Sequence, residues 1–258
     1  GSRAGIAKAK FEITNGMKKD GFFVYNGDET LLKDLVENSS INATSCGENS
    51  YNDIILENYT ITRDKIDFKL NIDKISFFTT LKGKHNLFNI MFAVAIAKKI
   101  GLANEEIRHA IDNISKITNM RLESITYGED SLIINDAYNA SPTSMKAAVD
   151  VISDLNDFEF KTLVLGSMFE LGPNEVEYHS GIGTYINNNS RGINLVISVG
   201  TLAKNITDNI NNEDINTLHF STVEEVTDYL KANKHKNEVI LFKASRSMKL
   251  ETIINDIK

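Results

Sequence analysis

The chain of 258 residues contains no tryptophan, two prolines and a single cysteine, Cys46. One cysteine cannot form a disulfide within the chain, which fits a reducing compartment and gives Cys46 no required role. Long apolar runs are also missing, since the longest, Ile90 to Ile96, is far shorter than the roughly 20 residues that a membrane-spanning helix needs. No signal peptide is visible at the start. We therefore expect a soluble, cytoplasmic protein without membrane insertion.

Positive charge is in deficit and scattered. Lysine and arginine total 28 against 35 aspartates and glutamates, which gives a net charge of −7, and the cations form no basic stripe. Binding to a nucleic-acid polymer is therefore disfavoured, because phosphate neutralisation needs clustered cations. A local site for a small anion remains open, since a helix N-terminus with one lysine or arginine can bind phosphate. The length suits two α/β domains better than one.

Hydrophobic periodicity divides the chain into two parts with different patterns. The first part begins with helices and buried strands and continues with short alternating runs from Asp53 to Leu81, which are typical of antiparallel hairpins. Asp28 or Thr30 is expected to cap the second helix. The predicted elements are helices at Ser2–Met17, Leu31–Val36, Asn86–Ile100 and Asn104–Ile114, strands at Phe22–Tyr25 and Ile41–Thr44, and alternating runs at Asp53–Leu56, Tyr59–Thr62, Ile66–Leu70 and Ile75–Thr79.

The second part follows an aperiodic segment, Ser115 to Met120, which we interpret as a hinge. From there strands and helices alternate, and the strands are continuous apolar runs of the kind that a parallel sheet covers on both faces. The pattern predicts a doubly wound α/β sheet that binds ligands at the carboxyl ends of its strands. The predicted strands are Leu132–Ile134, Thr162–Leu165, Leu195–Val199 and Val239–Phe242, and the predicted helices are Pro142–Leu155, Glu175–Asn188, Leu202–Ile210, Val223–Ala232 and Met248–Ile257.

The loop after the first strand of this second part concentrates polar residues where a strand gives way to a helix. Ser141 is a suitable N-cap and Pro142 a suitable first helical residue, which explains that dipeptide without a ligand. Asp136, Tyr138 and Asn139 are not explained by capping. They form either an ordinary polar turn or a nucleotide or substrate loop, and the residues alone favour neither interpretation.

Two later loops carry groups that can react or bind ions. Glu170 follows the next strand and His179 lies in the helix after it, so the two could form an acid–base pair or ligate a metal, although a structural hydrogen bond is more common. Lys243 and Arg246 follow the last strand near a helix start and could bind an anion. Helix capping by Ser247 explains that segment equally well.

The first part offers weaker candidates. Asn86 and Asn89 are three residues apart and share one face near a helix start, where they could read a base edge, and capping by Asn86 is the alternative. Lys8 and Lys10 taken alone would be solvated surface lysines. The chain contains no Gly-x-x-x-x-Gly-Lys-Ser/Thr phosphate loop, no Gly-x-Gly-x-x-Gly and no Cys/His metal cluster. The residues by themselves indicate a two-domain α/β protein with a polar cleft.

Six segments in a fixed order give a more specific indication. They are Gly5–Ile13, Gly83–Asn89, Met120-Arg121, Asn135–Met145, Gly166–Gly172 with His179 after it, and Lys243–Met248. Together they resemble the Mur ligases of peptidoglycan synthesis over essentially the whole chain. Tyr138-Asn139-Ala140 followed by Ser144-Met145, together with Glu170-Leu171-Gly172, favours the branch of that family that adds D-alanyl-D-alanine.

The resemblance implies a three-domain ligase. This chain matches the later part of the central ATP-binding domain, residues 1–119, and a Rossmann-like carboxy-terminal domain, residues 120–258. The family's phosphate loop, its magnesium ligands before Lys10 and its UDP-binding domain have no counterpart in these residues, so this stretch is expected to be inactive by itself. The alternatives are a sister ligase with another amino-acid donor and a non-catalytic stand-alone module of the same fold.

The implied chemistry is ATP-driven amide formation with ATP and Mg²⁺ as cofactors. A carboxylate of UDP-N-acetylmuramoyl-tripeptide attacks the γ-phosphate, and the amino group of D-Ala-D-Ala then displaces phosphate from the acyl phosphate. Lys10 matches a lysine that becomes carbamylated and can then hold Mg²⁺, and we expect it to be unmodified in this stretch. The implied nucleotide-side residues are Asn86 and Asn89 near the adenine, Arg121 at the hinge and Asp136 at the ribose, and the implied dipeptide-side residues are Tyr138, Asn139, Ser245 and Arg246.

Three positions depart from the family pattern. Met120 stands where a glycine is usual before the hinge arginine, Asn135 replaces the first aspartate of a pair, and Ala244 replaces a glycine. None of them removes a charge that the resemblance assigns to catalysis.

Overall fold

A computed structural model describes residues 2–72, 76–114, 120–128 and 130–258. The chain divides into two compact units, Gly1–Ser115 and Lys116–Lys258, and each is described by itself. Of the predicted hinge only Met120 lies within the described residues, and Ile75 of the last alternating run lies outside them.

The first unit builds a sheet with strand order β1-β2-β3-β4-β5. The strands β1 to β3 run parallel, while β3, β4 and β5 pair antiparallel, as the alternating runs predicted. On α3, Leu87 and Met91 pack into one core with Phe68 of β4 and Cys46 of β2. The elements are α1 Arg3–Phe11, β1 Phe23–Asn26, α2 Thr30–Glu37, β2 Ala43–Gly47, β3 Ile54–Ile61, β4 Ile66–Leu70, β5 Ser76–Thr79, α3 His85–Lys99 and α4 Asn104–Asp112.

The predictions for the strands between Asp53 and Thr62 and for the cap of α2 were wrong. The runs Asp53–Leu56 and Tyr59–Thr62 are not separate strands, because a bulge between Leu56 and Asn58 lets β3 continue from the parallel into the antiparallel part of the sheet. The helix α2 has no side-chain cap, since its N-cap is Glu29. Asp28 instead accepts hydrogen bonds from the loop after β2, which offers it several donors in place of one helix N–H.

The second unit builds a sheet with strand order β10-β9-β8-β11-β7-β6, parallel except for β6. The predicted strands and helices are confirmed with small shifts in their ends. The elements are β6 Glu123–Tyr127, β7 Ser131–Asn135, α5 Pro142–Asp154, β8 Phe160–Gly166, α6 Glu175–Asn189, β9 Leu195–Val199, α7 Lys204–Thr207, β10 Asn216–Phe220, α8 Val223–Ala232, β11 Glu238–Lys243 and α9 Glu251–Ile257.

The strands β6 and β10 were not predicted, because both lie at sheet edges and mix polar with apolar residues, unlike the central strands. Two cores cover the two faces of the sheet. One contains Met145 of α5 and Ile182 of α6, and the other contains Val226 of α8 and Ile253 of α9. This confirms the doubly wound α/β fold. In the described residues no helix is both long and apolar enough to span a bilayer.

Candidate active site

Three loops meet at the carboxyl edge of the second sheet. They follow β8, β11 and β7, which are adjacent in the strand order, so their first residues start side by side. Glu170, Arg246 and the Asp136 loop belong to these three connections. This is the edge at which doubly wound sheets bind ligands, so we take these loops as the candidate site of the second unit.

The loop after β7 is held at its far end by a helix cap. The Ser141 hydroxyl accepts a hydrogen bond from the Ser144 N–H at 3.3 Å, and the Ser144 hydroxyl accepts one from the Ser141 N–H at 2.9 Å. Pro142 occupies the first turn of α5. The capping predicted for Ser141-Pro142 is therefore confirmed, and the helix fixes where the polar residues before it lie.

The near end of the same loop is held by a buried ion pair. The Lys243 ammonium lies 2.6 Å from Asp136 Oδ2 and 3.0 Å from the carbonyl oxygen of Asn139, and its side chain is 3% exposed. The other Asp136 oxygen, Oδ1, accepts a hydrogen bond from the Leu122 N–H at 3.1 Å. Lys243 is thus committed to a partner within the unit, which makes the anion-site interpretation wrong for this residue.

One aromatic and one cationic side chain face solvent at this loop. Tyr138 is 45% exposed, and the Arg121 guanidinium lies 4.8 Å from the centre of its ring. The Tyr138 N–H donates to the carbonyl of Met120 at 3.2 Å. Asn139 is exposed beside Tyr138, and its Oδ1 accepts from the Ala140 N–H at 2.9 Å. Arg121 and Tyr138 are therefore brought together within one unit.

The backbone conformation explains why a glycine is usual at position 120, and a neighbouring side chain explains Asn135. Met120 adopts φ +65° and Leu122 φ +51°, a left-handed conformation that glycine adopts without strain. Asn135 donates its amide hydrogen to Glu123 Oε2 at 3.1 Å, and the Met120 N–H donates to the same oxygen at 3.0 Å. An ionised aspartate at 135 would have no hydrogen to donate and would repel Glu123, so the amide suits this neighbour.

The backbone at Met120 gives a stability prediction. Both Met120→Gly and Met120→Ala remove the side chain, but only glycine relieves the left-handed strain, which costs a non-glycine residue about 1 kcal/mol. We expect the glycine variant to unfold in urea with a free energy about 1 kcal/mol above that of the alanine variant. At ordinary positions alanine is the more stable of the two, so the opposite order would contradict the conformation described for Met120.

The loop after β8 is fastened by His179 and Ser245. His179 is fully buried, and its Nε2 accepts a hydrogen bond from the Met168 N–H at 2.8 Å while Nδ1 contacts the Glu175 carbonyl at 2.6 Å. The Ser245 hydroxyl accepts from the Phe169 N–H at 2.9 Å. His179 therefore has a structural role, but not as a partner of Glu170. Both its nitrogens contact backbone groups, whereas Glu170 lies exposed with φ +63°.

The His179 contact predicts a pH dependence. Burial lowers the pKa of the imidazole, despite the opposing effect of Glu175, because the charged form is costly inside the core. A base whose folded pKa is lowered leaves stability unchanged above its unfolded pKa, about 6.5, and costs stability as pH falls below that value. We expect the free energy of urea unfolding of the wild type to fall as pH drops below about 6.5, and we expect this fall to disappear in His179→Gln.

The control is the range above about pH 6.5, where His179→Gln and the wild type should show the same dependence of unfolding on pH. An unchanged slope below that pH in His179→Gln would show that His179 does not stay neutral in the folded state.

The remaining candidates of the last loop differ in exposure. Arg246 is about half exposed, with 54% of its side chain accessible, and it pairs with Glu251 of α9. Ser247 caps no helix, since the short 3₁₀ turn Arg246–Met248 has Ser245 as its N-cap and α9 has Leu250. The capping interpretation of Ser247 is therefore wrong, and Arg246 is an accessible cation of this loop.

In the first unit, Asn86 and Asn89 lie on one face of α3. The Asn86 amide donates to the Lys82 carbonyl at 2.7 Å, and Asn89 Nδ2 donates to Asn86 Oδ1 at 3.0 Å. The N-cap of α3 is Lys84, so capping by Asn86 is wrong. Lys10 is exposed near the end of α1. Within the described parts of the chain no group of three His, Cys, Asp or Glu side chains could hold a metal.

Comparison with known proteins agrees with this architecture. The family model for the Mur ligase middle domain matches residues 1–97, and that for the Mur ligase, glutamate ligase domain, matches residues 120–246. The chain belongs to the Mur ligase family. The UDP-N-acetylmuramoyl-tripeptide--D-alanyl-D-alanine ligase of Bacillus subtilis is 39% identical over 100% of this chain and 55% of its own length. The protein of the same name from Escherichia coli is 29% identical over 100% of this chain and 56% of its own length.

Solved Mur ligase structures show the same fold. MurF from Acinetobacter baumannii superposes with a TM-score of 0.83 at 24% identity, covering 99% of this chain and 55% of that one. The MurF ligase from Thermotoga maritima in complex with ADP gives a TM-score of 0.83 at 21% identity, covering 99% of this chain and 57% of that one. The chain spans about half the length of the curated relatives it matches.

Two contacts of this Mur ligase chain were not predicted from the sequence. The pairing of Lys243 with Asp136 was missed, although a lysine that ends a strand of continuous apolar residues is a signal in itself, because a buried ammonium needs an acceptor. The bonding of Glu123 to Asn135 was missed because β6 was not predicted. Neither partner is close in sequence to the residue it contacts.

Proposed function

We propose that this chain is part of a cytoplasmic, ATP-dependent ligase that adds D-Ala-D-Ala to UDP-N-acetylmuramoyl-tripeptide. The observation that carries the proposal is the loop Asn135–Pro142, which presents Tyr138 and Asn139 to solvent at the edge where the exposed cation Arg246 follows the neighbouring strand. The 39% identity to the Bacillus subtilis ligase over this whole chain supports it. We assign residues 1–119 to the later part of a central ATP-binding domain and residues 120–258 to the carboxy-terminal domain.

The two sides of the reaction fall to different residues in this proposal. Those we assign to ATP are Asn86, Asn89, Arg121 and Asp136, and those we assign to the dipeptide are Tyr138, Asn139, Ser245 and Arg246. The Arg246 guanidinium suits the dipeptide carboxylate, because an arginine can bind a carboxylate through two parallel hydrogen bonds. Exposed Tyr138 and Asn139 offer an apolar ring and an amide to the methyl and peptide groups of the same ligand.

The described residues do not form a magnesium site by themselves. They gather no trio of carboxylate, imidazole or thiolate ligands, so Lys10 could contribute to a Mg²⁺ site only as a carbamate, together with ligands from other residues. When bound, Mg²⁺ would neutralise charge on the nucleotide phosphates.

The proposed reaction has two steps. A tripeptide carboxylate oxygen bonds to the γ-phosphorus of ATP as the bond to ADP breaks. The dipeptide amine nitrogen then bonds to the acyl carbon, inorganic phosphate leaves and the amine loses a proton. The part of this chain's second unit is to bind and orient the dipeptide for that attack, which raises the rate by bringing the amine close to the acyl carbon.

The experiment that tests the proposal measures phosphate release by the full-length protein. With UDP-N-acetylmuramoyl-tripeptide and ATP present, adding D-Ala-D-Ala should start release, whereas single amino acids such as D-glutamate should not. We expect the 258-residue chain by itself to release none, because it contains no phosphate loop. A full-length protein that responds to another donor would be a sister ligase, and one that responds to none would be a binding module.

The role of Arg246 can be tested in the same assay. Losing a charged hydrogen bond of about 1.5–3 kcal/mol should raise the KM for D-Ala-D-Ala by about tenfold or more in Arg246→Ala, with the KM for ATP unchanged. Arg191→Ala is the matched control, since Arg191 is also an exposed, ion-paired arginine but lies before β9 at the opposite edge of the sheet. Equal effects of the two substitutions would remove Arg246 from the dipeptide site.

A further inference from the structure

One buried lysine joins separate parts of the candidate site in the second unit. Lys243 ends β11, and its ammonium bonds at 2.6 Å to the Asp136 carboxylate and at 3.0 Å to the Asn139 carbonyl. Asp136 starts the loop after β7, and Asn139 lies at its exposed middle. A single cation therefore fixes both the start and the middle of the loop.

The same carboxylate fixes a second segment. Asp136 Oδ1 accepts from the Leu122 N–H at 3.1 Å, and the Tyr138 N–H donates to the Met120 carbonyl at 3.2 Å. Arg121 lies between Met120 and Leu122 in the chain, and its guanidinium is 4.8 Å from the centre of the Tyr138 ring. The hydrogen bonds thus connect Lys243, through Asp136, to the backbone on which Arg121 is placed.

The physical chemistry makes Lys243 the residue that holds this arrangement. Its side chain is 3% exposed and that of Asp136 is 16% exposed, so removing the ammonium would leave a largely buried carboxylate without its cation. Such a carboxylate lowers its free energy by turning towards water, because an unpaired buried charge is costly. That rotation would break the bond to the Leu122 N–H and release the loop that bears Asn139.

We propose that Lys243 is a positioning residue that sets Arg121 and the Tyr138-Asn139 tip relative to one another. Loss of Lys243 then weakens binding on the nucleotide side and on the dipeptide side together, although the ammonium itself touches neither ligand. The assignment of those two sides rests on the proposed function, whereas the network within the second unit does not.

The first test follows the network in this chain without using activity. In Lys243→Met, amide hydrogen exchange at Leu122 and Tyr138 should be at least tenfold faster than in the wild type. Lys161→Met is the matched control, because Lys161 is also buried but donates at the amino edge of the sheet to the carbonyls of Ser153 and Arg191, both at 3.1 Å. It should leave both amides protected.

If Lys243→Met does not fold, Asp136→Asn provides the same readout, because it keeps the side-chain volume and removes the charge that Lys243 binds. Faster exchange at Leu122 and Tyr138 in either variant supports the proposal. Wild-type exchange at both amides in a folded variant, or equal acceleration in Lys161→Met, overturns it.

The second test uses the full-length protein. In Lys243→Met the KM values for ATP and for D-Ala-D-Ala should both rise at least tenfold, while Lys161→Met leaves both unchanged. A rise in only one of the two KM values, or a change confined to kcat, would contradict this. A wild-type protein without dipeptide-dependent phosphate release would instead refute the proposed function and leave the exchange result standing.

Discussion

Replacing Gly183 with alanine is expected to destabilise the second unit by about 3 kcal/mol, which would lower its melting temperature by roughly 10 °C. Gly183 lies in α6, where an added Cβ would approach the Ile206 carbonyl oxygen to 2.3 Å and the Cβ of Asn209 to 2.9 Å. Neither neighbour is the flexible end of a side chain. The helix α6 and the segment that contains α7 would have to separate, and the packing between them would be lost.

The neighbouring segment cannot yield easily to such a substitution. Ile206 of α7 is fully buried in the core that α5 and α6 share. One residue further on, the Thr207 hydroxyl is hydrogen-bonded to that of Ser198 of β9 at 2.8 Å, which ties α7 to the sheet. Any outward movement of α7 therefore breaks a buried polar contact as well as apolar packing, and both are costly.

The same helix provides the control for Gly183. An added Cβ at Gly181 meets no heavy atom within 4 Å, so Gly181→Ala should stabilise the helix by up to about 1 kcal/mol through helix propensity alone. Differential scanning calorimetry of the two variants separates packing from propensity. A rise in melting temperature for both substitutions would mean that α6 and α7 do not approach as closely as described.

Replacing Asp28 with alanine is expected to destabilise the first unit by about 3 kcal/mol. Hydrogen bonds to a charged group contribute about 1.5–3 kcal/mol each, and the sum is reduced here because the Asp28 carboxylate is partly exposed. The Asp28 carboxylate accepts from the Glu48 N–H at 2.7 Å, the Asn49 N–H at 3.2 Å, and the side-chain amides of Asn49 at 2.7 Å and Asn52 at 2.8 Å. It thereby joins the carboxyl ends of β1 and β2. Without it, these donors lose their common acceptor.

The same contacts predict the behaviour of Asp28 in acid. Burial alone would raise the pKa of the carboxyl, but the hydrogen bonds from Glu48, Asn49 and Asn52 outweigh burial and lower it. An acid with a lowered folded pKa contributes stability that is present above its unfolded pKa, about 4, and is lost as pH falls through the folded value. Urea unfolding of Asp28→Ala should therefore lack part of the wild-type loss below about pH 4.

Two further variants make the Asp28 prediction specific. Asp28→Asn keeps one acceptor oxygen but points an amide at other amides, so its loss should be intermediate. Asp34→Ala removes an exposed carboxylate from α2 and should change the unfolding free energy by less than about 0.5 kcal/mol. If Asp28→Ala behaved like Asp34→Ala, the four hydrogen bonds would not contribute to stability.

Much of the fold followed from local signals. Continuous apolar runs such as Leu195–Val199 predicted the central strands, because a strand covered on both faces has no polar side. Ser141 and Pro142 predicted the start of α5 because capping depends on neighbours within four residues. The edge strands β6 and β10 gave no such signal, since half of each can face water.

The candidate site likewise combines features that the sequence predicts with features that depend on tertiary contacts. The sequence by itself determined the α/β class, the polar loop at Asp136 and the resemblance to Mur ligases, because each depends on residues that follow one another along the chain. Only the tertiary structure decided that Asp28 binds a loop and not a helix, that His179 holds a backbone N–H, and that Lys243 pairs with Asp136, 107 residues away. A donor or acceptor chooses its partner among all the groups that folding brings within reach, and sequence spacing does not encode that choice.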